Sequence, residues 1–330
     1  MIECIGSMEL ENESVYEMKT VDVIVPVYKP DEKCKKLIER LHRQSYPVQR
    51  IILINTEKSY FDEFFGNSDF LKQYDNLLIR HITAEEFDHG GTRRMGVELS
   101  DADYFICMTD DAVPVDDRLV EELLKPLLEG RAAAAYARQL PGKDATLTER
   151  YSRYFNYPPN AVIKSAADIP AMGIKTFFCS NVCAAYDRRV YERVGGFEKH
   201  MIFNEDMVNA RHFLDAGEKI AYVPEAKVIH SHHYGNWQQL QRNFDLGVSQ
   251  AQFPEVFGGI SSSSEGVKMI KNMTGYLLRK GNALQIPGMI VNNGFKFAGY
   301  QLGKHYKLLP MWVVRKVTLN PKYWEKSDIL

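Results

Sequence analysis

Cysteine is scarce in this chain, with five in 330 residues. An odd number spread so thinly does not make a secreted disulfide framework, and a chain this long buries enough apolar surface without one. Cys179 and Cys183 lie close together, but no second pair completes a zinc site, so they read as small buried residues. Glycine (22) and proline (14) are not in excess, which excludes collagen-like and low-complexity chains. No window approaches the roughly 18 consecutive apolar residues of a membrane-spanning helix. The first twenty residues set Glu3, Glu9, Glu11, Glu13 and Glu17 against Lys19 alone. Without a basic start or an apolar run they are no signal peptide. The expectation is a cytoplasmic chain, soluble or peripheral at the inner face of the cell membrane. Two phosphate-binding signatures are also missing, G-x-x-x-x-G-K-[ST] and G-x-G-x-x-G, which argues against P-loop and dinucleotide-binding chemistry.

Charge is present but unevenly placed. The net charge is −2, yet residues 266–330 hold eleven Lys and Arg against Glu325 and Asp328, a balance of +9 that leaves −11 for residues 1–265. An acidic body with a basic, aromatic-bearing end points to an anionic partner. The acidic body argues against nucleic acid. Phe297, Tyr300, Tyr306, Trp312, Tyr323 and Trp324 interleave with the cations, as on helices that rest on anionic lipid. A packed helical end with a solvated basic face fits the same pattern.

The ordered part opens at Val21. Val21–Tyr28 is β-branched and nearly all apolar, as in a buried parallel strand. Asp31 caps a helix that shows Cys34, Leu37, Ile38 and Leu41 on one face. Strands follow at 50–55, 77–82 and 103–109, with a helix at 92–99. This alternation predicts a doubly wound, mostly parallel α/β sheet. Beyond Tyr136 the pattern is irregular until a helix at 204–216 and strands at 220–223 and 227–230. Ser261–Ser264 marks a linker. The organisation expected is an acidic extension (1–20), a catalytic domain (21–260, with halves 21–135 and 136–260) and a basic helical region (261–330).

Ligands of an open parallel sheet bind beyond the carboxyl ends of its strands. Polar clusters fall there: Pro26-Val27-Tyr28, Asn55-Thr56, Asp88 to Arg94, and Thr109-Asp110-Asp111. Adjacent carboxylates repel unless a cation or hydrogen-bond donors stand beside them, and hard oxygen ligands favour Mg²⁺ or Mn²⁺ arriving with phosphates. Gly90-Gly91 ahead of a helix offers backbone N–H groups to phosphate, and Arg93 and Arg94 add charge. Each cluster also has a plain structural reading: a turn acid, a flexible turn, a helix cap at Glu205-Asp206, or a hydrogen-bonded histidine at His230, His232 or His233.

Taken in order, these clusters resemble a known family. I-V-P-V-Y (24–28), H-G-G-T-R-R (89–94), T-D-D-A-V-P (109–114), G-G-F (195–197) and N-E-D-M (204–207) look like an inverting family-2 glycosyltransferase of GT-A fold. The stretches 136–141, 153–158, 179–186 and 230–234 resemble its bacterial rhamnosyltransferase-like branch. The likeness runs from residue 21 to about 250 and more loosely into the basic end. It implies that Asp111 binds Mg²⁺ or Mn²⁺ on the donor diphosphate and that His230 completes the metal shell. Asp110 would assist through the donor's ribose or sugar. Arg93 and the Gly90-Gly91 backbone would hold nucleotide or diphosphate, and Pro26, Val27 and Tyr28 would line the base pocket. Asp206 would be the general base, with Glu205 binding sugar or orienting that base. Gln239 and Arg242 resemble a Q-x-x-R element that steadies donor or product.

The chain departs from that pattern at two places. Thr109 replaces the first acid of D-x-D, and Asn55-Thr56 replaces a base-recognising aspartate. The resemblance implies a dTDP- or UDP-linked sugar donor, dTDP-L-rhamnose foremost, and a glycan or lipid-linked saccharide acceptor in cell-surface polysaccharide assembly. Two other readings stay open at this stage: a non-catalytic nucleotide-sugar or glycan-binding protein, and a sugar-phosphate nucleotidyltransferase.

Overall fold

A computed structural model describes residues 18–325 apart from 67, 232–233 and 260–262. Most of the acidic extension, the first half of the serine linker, and His232 and His233 lie outside the described residues. The chain alternates β1 (Val21–Tyr28), α1 (Glu32–His42), β2 (Arg50–Thr56), α2 (Lys58–Phe65), β3 (Leu77–Ile82), α3 (His89–Glu98) and β4 (Tyr104–Met108). It continues through β5 (Val113–Pro114), α4 (Leu119–Leu128), β6 (Ala134–Leu140), α5 (Leu147–Asn156), β7 (Val162–Lys164) and α6 (Ile169–Met172). Then come β8 (Cys183–Asp187), α7 (Arg188–Arg193), α8 (Glu205–Asp215), β9 (Ile220–Ile229) and α9 (Asn236–Gln252). The remaining helices are α10 (Pro254–Phe257), α11 (Ser263–Arg279), α12 (Ile286–Lys304) and α13 (Met311–Val317).

The strands form one mixed sheet in the order β3-β2-β1-β4-β8-β6-β9-β5, with β7 paired to β9. The first four run parallel, and the buried, largely apolar runs of β1, β2 and β4 suit a sheet covered on both faces, with β3 at its edge. β8 then enters antiparallel between β4 and β6. That reversal sets the residues just before β8 beside those just after β4, and the active-site geometry follows from it. Two apolar clusters fill the two faces, one around Val23, Val25 and Leu123, the other around Ile24, Phe105 and Tyr186.

The structure moves three boundaries drawn from the sequence. α3 begins at His89 because Asp88 caps it, its Oδ1 accepting from Gly91 N–H at 2.6 Å. The strands expected at 220–223 and 227–230 are a single strand, β9. Its partner register shifts between Ala137 and Arg138, which takes up the Pro224 region as a bulge. Ser263 and Ser264 belong to α11 rather than to a linker.

The basic end packs on the body. α12 lies against α9, and a third core joins Ile202, Leu240, Phe244 and Val248 to Val314, Val317, Tyr323 and Trp324. Asp245 on α9 holds the following segment, accepting from Thr318 Oγ1 (2.6 Å), Leu319 N–H (3.0 Å) and Asn320 Nδ2 (3.1 Å).

Candidate active site

Polar residues follow the carboxyl ends of β1, β2 and β4: Lys29, Glu57, and Thr109 to Asp111. Among the described residues three non-glycine residues have positive φ, and two of them, Lys29 (φ 53°) and Glu57 (φ 64°), directly follow β1 and β2. The third, Asn204 (φ 63°), directly precedes α8. Such conformations persist where surrounding structure enforces them, often at sites. Pro26 and Val27 end β1 in the sheet, and Tyr28 emerges half exposed. Its ring meets Tyr60 edge-on at 5.6 Å, and Lys29 Nζ stands 4.7 Å from the Tyr60 ring centre. Tyr28 N–H donates to Asp110 Oδ2 at 3.2 Å. Burial, then the Asp111 charge, push the Asp110 carboxyl up to about 7. Asn55 is fully buried, its Nδ2 against His81 Nδ1 of β3 at 3.0 Å, so it lies beneath the surface.

Asp111 faces His230, with Oδ1 3.5 Å from Nε2. His230 is anchored by its backbone N–H on Leu140 O (3.0 Å) and by Nδ1, 2.9 Å from Gln139 Oε1. The Gln139 amide is oriented because its Nε2 donates to Tyr157 Oη (2.5 Å) and Ser180 Oγ (3.0 Å). Its Oε1 also accepts from Arg153 Nη1, while Arg153 Nη2 lies 3.2 Å from His230 Nδ1. Nδ1 thus lies between the Gln139 carbonyl oxygen and the Arg153 guanidinium, contacts that fix the ring with Nε2 toward Asp111.

The second acidic pair begins α8. Glu205 is buried, with Oε1 3.1 Å from Arg93 Nη1 and 3.1 Å from Asn181 Nδ2. Burial works to raise its carboxyl, but Arg93, His89 and Asn181 outweigh that and hold it below the usual range. Asp206 beside it is partly exposed. Its Oδ2 accepts from Asn181 N–H (3.1 Å) and its Oδ1 from Met207 N–H (2.7 Å). Burial, then the Glu205 charge, push Asp206 up to about 7. Two neighbouring carboxylates are thus driven apart, one kept ionised and one poised near neutrality.

Both acidic pairs belong to one network. Thr109 N–H bonds Val182 O across the β4–β8 junction at 3.3 Å, so the turn carrying Asp110 and Asp111 leaves β4 at the end where the segment carrying Ser180 and Asn181 enters β8. Gln139 touches Ser180, and Asn181 grips Asp206. Arg242 on α9 lies 4.8 Å over the Phe203 ring and hydrogen-bonds Tyr234. Gln239 sits three residues earlier on the same helix.

Residues 22–195 match the profile of glycosyl transferase family 2. The chain belongs to that family. It is 36% identical over 308 residues to the O-antigen chain rhamnosyltransferase RfbN of Salmonella typhimurium, covering 92% of this chain and 96% of that protein. WbaN of Salmonella anatum, also an O-antigen chain rhamnosyltransferase, is 36% identical over 312 residues, covering 93% and 96%. The fold resembles the mannosyltransferase PcManGT of Pyrobaculum calidifontis, solved with GDP-Man and Mn²⁺, at TM-score 0.61, 12% identity and 89% of each chain. It also resembles residues 1–349 of S. aureus TarS, solved with UDP-GlcNAc, at TM-score 0.52, 9% identity, and 87% of this chain against 91% of that one. The chain is therefore a rhamnosyltransferase-like glycosyltransferase of GT-A fold.

Within this family-2 glycosyltransferase, Asp110, Asp111, His230, Glu205, Asp206 and Arg242 converge. The groups expected on the diphosphate at α3 are turned to protein partners instead. Arg93 is buried on Glu205 and on His89 O (3.1 Å). Gly91 N–H is taken by Asp88. A Cβ on Gly90 would meet Glu198 O at 2.2 Å, and one on Gly91 would meet Lys199 O at 2.5 Å. The glycines let α3 approach the 198–201 loop. Asn181, Gln139 and Arg153 carry site geometry to which sequence reading gave no role. All three fall in stretches that carry the family resemblance; Gln139 and Asn181 also stand out as polar residues beside the alanine-bearing runs of β6 and β8, while Arg153 lies in the polar sequence of α5.

Among the described residues no group of three or more His, Cys, Asp or Glu side chains could hold a metal alone. Asp111 and His230, which face each other, would supply two donors. That set fits Mg²⁺ or Mn²⁺, which take remaining ligands from phosphate and water.

Proposed function

We propose that this chain transfers L-rhamnose from dTDP-L-rhamnose, with inversion, onto a glycan or lipid-linked saccharide in O-antigen synthesis at the inner face of the cell membrane. The relatives' activities support the sugar and the product, and the observation that carries the chemistry is the Asp206 carboxylate. It is oriented by two backbone N–H groups, reaches solvent, and titrates near neutrality beside an ionised Glu205. A base matched to the working pH is the effective one.

In this reading Asp206 takes the proton of the acceptor hydroxyl. That oxygen bonds to the anomeric carbon as the bond to the diphosphate oxygen breaks on the opposite face. Glu205, fixed by Arg93 and Asn181, orients the base. Tyr28, Pro26 and Val27 bound the nucleobase, with Asn55 beneath, and Asp110 meets the ribose or sugar. Arg242, with Gln239, steadies the phosphates. Asp111 and His230 would hold the divalent cation, which when bound offsets charge on the leaving diphosphate.

Two measurements test this. Nucleotide sugars with Mn²⁺ are screened by thermal shift, since selective binding stabilises in proportion to occupancy. dTDP-L-rhamnose should raise the melting temperature most, and a null response to every nucleotide sugar would sink the assignment. Asp206→Asn should keep that shift while transfer falls about 10²- to 10⁴-fold. Undiminished transfer would remove Asp206 from the base role.

A further inference from the structure

α12 is built inside out. Met289, Gly299 and Gly303 are buried against the body, and Asn292 Nδ2 bonds Asn236 Oδ1 of α9 at 2.9 Å. At 3.6 residues per turn, Lys296, the one charged residue before the last turn, falls on this inner stripe with Asn292 and Gly303. The opposite stripe carries Pro287, Ile290, Val291, Gly294, Phe297 and Ala298, all exposed and none charged. Ile290 is 56% and Phe297 62% exposed. A solvated helix normally shows the reverse.

We propose that the outer stripe of α12 lies on an anionic lipid bilayer, apolar side chains in the interface and cations at both ends on the headgroups. This names the membrane-facing surface of the enzyme proposed above and rests on that reading for its purpose. Charge selects the occupant. Residues 266–324 contain no acid. Arg279 and Lys280 stand exposed just before α12, and Lys304 and Lys307 at and just after its end. Two copies joined by this face would set like charges together, whereas an anionic headgroup layer complements them. Trp312, 71% exposed, follows on α13, and an indole belongs at a headgroup boundary. Among the described residues no helix is long and apolar enough to cross a membrane, so the contact is in-plane.

The test is flotation of the full chain with phosphatidylcholine vesicles, with and without phosphatidylglycerol. The parent should float with the anionic vesicles. Ile290→Glu combined with Phe297→Glu should lower its partitioning about tenfold or more, since binding scales with buried apolar area. Leu99→Glu combined with Leu128→Glu, the same charge change on exposed leucines elsewhere, should leave it near the parent's value. The proposal is overturned if the parent does not float, if the α12 variant floats equally well, or if both variants lose equal affinity. A parent dimer in light scattering that the α12 variant lacks would assign the face to a second copy, also against the proposal. Donor-induced thermal shift on the same samples separates the two claims. Its loss in the parent counts against the transferase reading and leaves flotation standing.

Discussion

Glu205 and Asp206 are adjacent carboxylates with opposite fates, and the cause is which of them meets Arg93. The guanidinium and the Asn181 amide hold Glu205 ionised, and its charge then helps to raise Asp206. If Asp206 accepts the proton, only its ionised form works. Activity should therefore rise as pH increases through about 7 and level off above. Glu205→Gln removes the neighbouring negative charge and leaves Arg93 to favour the ionised form. The acidic limb of kcat/KM against pH should then move to lower pH, whatever happens to the maximum. A limb that stays put or moves upward would detach Asp206 from the rate. The acids themselves were legible, because N-E-D at a helix start is a compact local pattern. Asn181, which orients both, was not. Its place beside Thr109 depends on β8 pairing antiparallel with β4, a contact between residues more than seventy positions apart.

At the scale of elements, the first four strands could be read because each leaves a short apolar run between helical segments, continuous and buried in β1, β2 and β4. β9 reads as two strands, since Pro224 and Glu225 interrupt the run and the bulge that absorbs them is set by β6. The α9–α12 contact was hidden for another reason: it is made of glycine. A Cβ on Gly299 would meet Leu240 O at 2.1 Å, and one on Gly303 would meet Phe244 O at 2.1 Å. Helices this close leave no room to repack. Gly299→Ala should therefore destabilise by about 1–3 kcal/mol through overpacking, despite alanine's better helix propensity. Gly294→Ala on the outer face, with nothing within 4 Å, should gain about 0.5–1 kcal/mol. Paired chemical denaturation measures both. Equal effects of one sign would mean the helices are not held at glycine distance.

At the scale of the whole molecule, the basic end is packed on the body. Segregated charge could be counted from the sequence, but the packing beneath it could not, since charge reports on surfaces and says nothing of what lies under them. Val314, Val317, Tyr323 and Trp324 complete a core whose other half is Ile202, Leu240, Phe244 and Val248. Asp245 is buried on α9 and pushed up to about 7 by that burial, and its described partners come from residues 318–320. Deleting residues 261–330 would uncover that apolar surface and remove the three hydrogen bonds to Asp245, each worth about 0.5–1.5 kcal/mol net. The truncated chain should melt at lower temperature, bind a hydrophobic dye, and exchange the amides of α9 faster than the intact protein. It would then also be a poor reagent for membrane binding, because newly exposed core adheres to lipid for its own reasons. A truncated chain that melts cooperatively at the parent temperature, with α9 still protected, would restore the picture of an independent tail.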